Sequence, residues 1–279
     1  MTKQDALHDL VANPLSRRRF AKNAIAAGVA IGAAGLIDDA TSEVNAQAVT
    51  DVDILNFALN LEYLEAEFYT VITSGRTINQ APHNIPTSGV GTEGPTTGAG
   101  RLNFGGDNLL EQTALEIAFD ERAHVQVLRA ALGSAAVAKP AINFAPAAVT
   151  TISRFLQAAR VFEDIGVSAY GGAAPLIASK ATLAVAVRIA LAEAIHTGNI
   201  RLQVAQRNLA DLGPVDALDI VVGRPPRLGS RLISVDAQGL TAVRTPSQVL
   251  SIVYGPGAPA GTSQGLFFPN GLNGSIRTV

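Results

Sequence analysis

Two glutamates set in long apolar runs constrain this chain more than any other feature. Between residues 148 and 212 the only glutamates are Glu163 and Glu193, and their surroundings are typified by Leu183-Ala184-Val185-Ala186-Val187. A carboxylate withdrawn from water is costly unless it is paired, hydrogen-bonded or bound to a metal. Each of these two therefore needs a polar partner inside the fold. Glu193-Ala194-Ile195-His196 supplies one at E-x-x-H spacing, and Glu121-Arg122-Ala123-His124 repeats that spacing upstream. On a helix the two side chains of E-x-x-H lie on one face, one turn apart.

Apolar periodicity and breakers place these residues on four helices. The first is predicted from Asp51 or Asp53 to about Thr73, ended by Ser74-Gly75. Residues 76–106 are rich in Gly, Thr, Pro and Asn and read as one long loop. Such length marks it as a lid or an interface element. A second helix is predicted from Asp107 or Asn108 to Ala131 or Leu132, before Gly133. A third runs from about Ala148 to Tyr170, broken by Gly171-Gly172 and Pro175, and a fourth from about Ser179 to Leu212. The third and fourth are apolar nearly all round, which predicts burial inside a bundle. The tail, 213–279, is Gly/Pro-rich, with short β-like pieces at Leu232 to Val235 and Leu240 to Val243. Thr245-Pro246-Ser247-Gln248 has the form of a capping box opening a short helix to Tyr254. This tail is expected to wrap the bundle or join an oligomer interface.

The helices pair as an internal repeat. Glu62 is followed seven residues on by Tyr69, and Glu163 seven residues on by Tyr170, so each Glu shares a face with its Tyr. Aligning Glu62 on Glu163 places Leu55 on Leu156, Ala58 on Ala159, Glu65 on Gly166 and Glu67 on Ser168. The repeat selects Glu62 as the inward carboxylate of the first helix and leaves Glu65, one turn on, in reserve. The chain has no Cys, so a metal site must be built from carboxylate, imidazole or backbone ligands. One Glu from each of two helices and E-x-x-H from each of the other two form the ligand set of a dinuclear carboxylate site. The competing reading pairs the buried Glu with Arg122, Arg160, Arg188 or Arg201.

With this pattern the sequence resembles the ferritin-like superfamily. More narrowly, the stretch from Asp51 to Glu65 (DVDILNFALNLEYLE) resembles exported bacterial ferritin-like proteins of the desiccation-related group. The resemblance covers about 51–212. It implies an all-α, ferritin-like four-helix bundle with a long loop between the first two helices and a C-terminal extension. It implies that Glu62, Glu121, His124, Glu163, Glu193 and His196 bind two iron or two manganese ions. Two of the glutamates would bridge the metals, and the other two would cap one metal each with one His apiece. Tyr69 and Tyr170 match tyrosines that hydrogen-bond near the metals in some relatives. His83, in the long loop, matches nothing.

Residues 1–48 read as an address. Ser16-Arg17-Arg18-Arg19-Phe20-Ala21-Lys22 leads into a Gly/Ala-rich apolar run and then Ala46-Gln47-Ala48. The arrangement resembles a twin-arginine export signal. It implies delivery of a folded protein to the periplasm or the extracellular space, with no membrane span after cleavage. Cleavage after Ala48 would also remove Met1, the only Met, from a chain that has no Trp. With a net charge of −2, nothing points to nucleic acid.

The functions consistent with these features are redox chemistry on O2, peroxide or ferrous iron, with a small oxidant or a metal ion as substrate, or a non-enzymatic stress or desiccation role with a stabilising metal. An iron-storage shell ranks below both, because the loop and tail would obstruct cage packing. A homo-oligomer is compatible with either of the first two.

Overall fold

The computed structural model describes residues 49–209, 213–222 and 231–279. The expected signal at 1–48 and the expected last residues of the fourth helix, 210–212, lie outside them. Residues 49–279 form one compact unit. It is all-α, with four long helices: α1 (Asp51–Ser74), α2 (Asn108–Leu132), α3 (Ile152–Ala173) and α4 (Lys180–Gln206). A short α5 (Pro246–Val253) follows in the tail. Helix α1 packs most extensively on α2, and α3 on α4, so the two pairs suggested by the repeat are the two halves of the bundle.

Each long helix starts on a side-chain cap. Thr50 forms a capping box with Asp53, and Asp107, Thr151 and Ser179 accept from Leu110, Arg154 and Thr182 backbone N–H groups. The third helix begins at Ile152 rather than Ala148, because Ala148 is left-handed (φ 48°) and closes a 3-10 turn. It also continues through Gly171-Gly172 to Ala173. A Cβ on Gly172 would collide with the carbonyl of Arg244, so these glycines admit the tail instead of ending the helix. The fourth helix stops at Gln206, where Asn208 turns left-handed (φ 49°) and the Arg207 guanidinium pairs with Asp107.

The burial pattern departs from expectation in one respect. Helix α1 is buried continuously from Ile54 to Thr73. Helix α4 is not; Leu191 and Ile195 are 61% and 72% exposed. By length and mean hydropathy (1.3) α4 would suit a membrane span, but the face bearing Glu193, His196 and Arg201 is packed in the bundle. The difference arises from the tail and the long loop, which cover α1 and α3. Asn273 binds Asn60 on α1 and Thr92 and Ala138 in the connections, while Arg244 binds Ser168 on α3. The loop is tied down by β1 (Thr96–Thr97), which pairs in parallel with β2 (Ile142–Asn143), and by a bridge from Val90 to Val137. The tail pieces at 232–235 and 240–243 form no strand; Asp236 accepts from Gln238 and Leu240 and closes a tight turn. The capping box Thr245/Gln248 is present and opens α5.

Candidate metal centre

Midway along the bundle all four helices send carboxylates inward. Glu62, Glu121, Glu163 and Glu193 are each at most 1% exposed, and His124 and His196 are 9% and 5% exposed. Their ligand atoms fall into two overlapping groups, Glu62/Glu121/His124/Glu193 and Glu121/Glu163/Glu193/His196. Within each group one ligand atom per residue lies within 4.8 Å of the others. Glu121 and Glu193 belong to both groups, which suits them to bridge two ions, with Glu62 and Glu163 each confined to one. The imidazole centroids are 6.1 Å apart. His124 Nδ1 lies 3.2 Å from Glu62 and Glu121 and 3.3 Å from Glu193, while His196 Nδ1 lies 2.9 Å from Glu121 and 3.3 Å from Glu163.

Arg188 is exposed, and the other three arginines are engaged elsewhere. Arg160 binds Asp219 and Asp164, Arg201 binds Asp164 and backbone carbonyls, and Arg122 donates to Thr70. Instead Glu163 Oε1 and Glu193 Oε2 are buried without a hydrogen-bond partner, while Glu62 Oε2, Glu121 Oε1, Glu163 Oε2 and Glu193 Oε1 have an imidazole nitrogen within 3.3 Å but no well-directed hydrogen bond. Buried polar atoms are rarely left so, and this set of inward carboxylate oxygens with two imidazoles among them fits a pair of divalent ions. The electrostatics agree. Burial pushes Glu62 up to about 7 against the pull of His124. Glu163 is also raised by burial, and Glu193 stands well above the usual range, burial first and Glu121 next. Burial would raise Glu121 too, but the two imidazoles hold it at about 2. Burial disfavours the imidazolium of His196, yet Glu121 and Glu163 lift it to about 12, and Glu62 leads the groups that raise His124. The cluster thus holds protons that metal ions would displace.

The tyrosines cross between the halves. Tyr170 shares a helix with Glu163 but donates to Glu62 Oε1 at 2.5 Å. Tyr69 shares a helix with Glu62 but faces Glu163, without a formed hydrogen bond, and burial with that carboxylate holds its hydroxyl well above 10. His83 stands outside the cluster, its pKa lowered by burial and by Arg122 and Arg76.

Two further residues belong to the site. Asp120, its side chain 44% exposed, meets His196 Nε2 at 3.1 Å and so leaves Nδ1 facing the carboxylates. Adjacency to Glu121 was the only sequence signal for it, because its partner lies on another helix. Glu65 is 3% exposed, and its carboxyl is raised by burial and then by Glu193. The repeat sets Gly166 in the matching position, and a Cβ there would lie 3.1 Å from Glu65 Oε1 and still nearer Glu193 Oε2. Glycine makes the room that both carboxylates occupy.

Comparison with known proteins agrees with this geometry. The chain is 22% identical to a ferritin-like catalase, Nec2, of Nesocodon mauritianus, over 85% of this chain and 88% of that protein. The family model of the ferritin-like domain matches residues 50–206, more than half of the sequence. This chain belongs to the ferritin-like domain family.

Proposed function

We propose that the protein is a redox enzyme with two iron or two manganese ions held by Glu62, Glu121, His124, Glu163, Glu193 and His196, and that its substrate is a small oxidant, hydrogen peroxide foremost. The observation that carries this reading is the pair of ligand groups sharing Glu121 and Glu193. Oxygen-rich donors with one imidazole per ion suit iron and manganese. The name of the ferritin-like catalase relative supports peroxide, whose disproportionation yields two waters and one O2 from two molecules. Two ions held by these residues would supply the two-electron couple this reaction needs. The chain's own residues do the rest. Asp120 orients His196, Tyr170 holds Glu62, and the apolar bundle keeps bulk water from the cluster. We carry export through a cleaved twin-arginine signal as part of the same proposal, supported by the motif at 16–22 and the A-x-A at 46–48.

The test is oxygen evolution from H2O2 by protein purified from its own host without chelator, beside the double variant Glu163→Ala/Glu193→Ala. Turnover in the wild type and none in the variant supports the reading. A wild type that keeps its metal but turns over neither peroxide nor Fe²⁺ with O2 replaces it with a structural role.

A further inference from the structure

Two neighbouring cavities, one between α1, α3 and the start of α4 and the other between the starts of α1 and of the tail helix and the end of α3, share Ile54, Phe57, Ala169 and Ala173 as walls. The outer one, about 150 Å3, is roofed by Arg244, Pro246 and Ile276. The inner one, about 20 Å3, ends on Glu65, Gly166 and Tyr170. Space of that size admits about one water-sized molecule. The inner end abuts the metal cluster directly. Tyr170 is bonded to Glu62, and at Gly166 no side chain intervenes before Glu193.

The walls determine what could pass. Apart from Glu65 and the Tyr170 hydroxyl at the inner end, the inner cavity is lined by aliphatic and aromatic groups. A divalent cation entering it would shed its water with no oxygen ligands to replace it, a cost of many kcal/mol. It would also pass the Arg244 guanidinium in the outer wall, which is buried and already paired with Asp216. Dioxygen meets neither barrier, and hydrogen peroxide gives up a few hydrogen bonds rather than an ion's hydration shell. Outside both cavities, the half-exposed carboxylate of Asp120 against His196 offers a polar approach of the kind a cation favours.

We propose that the two cavities are the entry route for a small uncharged oxidant, dioxygen or hydrogen peroxide, and that metal ions do not load through it. The inference rests on the dimetal reading and makes the neutral oxidant, not ferrous iron, the substrate that the tail-side route selects. The tail then has a functional place, since Arg244, Pro246 and Ile276 form the roof of the entry.

Xenon, apolar and uncharged, probes the route without chemistry. Crystals of the metal-loaded protein pressurised with xenon are expected to show it in the outer cavity, and crystals without xenon there overturn the proposal. Ala169→Leu fills the wall common to both cavities. Its rate at low H2O2, or of the reduced protein with O2, is expected to fall at least tenfold while Mn²⁺ uptake, followed by electron paramagnetic resonance, keeps its wild-type rate. An unchanged oxidant rate, or a matching fall in Mn²⁺ uptake, overturns it. Should Ala169→Leu not fold, Ile54→Ala widens the same neck and is expected to raise the oxidant rate; no rise overturns the proposal. Wild-type protein that binds no metal defeats the dimetal reading, whereas the xenon result judges the route on its own.

Discussion

Replacing Gly166 by alanine adds one methyl group where the cluster is tightest. The new Cβ would lie 3.1 Å from Glu65 Oε1 and inside 3.0 Å of Glu193 Oε2. Carbon and oxygen rest at about 3.5 Å, so the Glu193 carboxylate must retreat by about 1 Å. Glu193 belongs to both ligand groups, and its displacement is therefore felt by both ions. Displaced ligand support typically weakens metal binding about 10- to 100-fold. At a metal concentration 100 times the wild-type Kd, each ion stabilises the fold by about 2.7 kcal/mol, which falls to roughly 0.4–1.4 kcal/mol in the variant. For two ions the loss is about 3–5 kcal/mol, or roughly 6–20 °C in Tm for a chain of this size. The metal-free variant should change little. Alanine is favoured over glycine inside a helix by about 1 kcal/mol, which offsets the crowding of two protonated carboxyls. Scanning calorimetry with and without Mn²⁺ is the assay. A metal-induced rise in Tm equal to the wild type's, or an equal drop in both forms, would refute the reasoning.

Further outcomes are expected from other parts of the site. Asp120→Ala should weaken metal affinity about 10- to 100-fold in a binding titration, with metal-free stability unchanged within about 0.5 kcal/mol because the side chain is half exposed. Tyr170→Phe removes the donor to Glu62 and should lower metal-free stability by about 1–3 kcal/mol in urea unfolding while leaving the metal content intact. Glu62 is raised from 4.5 to about 7 in the fold, so its contribution is complete below pH 4.5 and lost as pH rises through 7. Glu163 and Glu193 shift in the same direction. The melting temperature of metal-free protein should accordingly fall between pH 5 and 8, while metal binding, which displaces those protons, strengthens. A gap between loaded and free protein that narrows over this range would count against the site.

Much of this architecture is legible locally. Glu163 and Glu193 in apolar helix, the twin E-x-x-H and the Glu62/Glu163 repeat are matters of spacing along one helix, and the six side chains they single out lie in one cluster. Caps at Asp107 and Thr245 are likewise local. What escaped depends on contacts between distant segments. Seven-residue spacing pairs Tyr170 and Tyr69 with the Glu of their own helix, yet each faces the Glu of the other half. Asp120 serves a histidine 76 residues away. Gly171-Gly172 read as a helix stop because nothing in the sequence shows Arg244 arriving there. The continuous burial of α1 and the exposure of Leu191 and Ile195 follow from where the tail lies, which helix periodicity does not encode.

The central claim is that the six residues hold two metal ions. Elemental analysis of the protein purified from its own host without chelator, per mole of chain, tests it most directly. The account predicts about two equivalents of iron plus manganese, reduced by Glu121→Ala. A wild-type content well below one equivalent would contradict it.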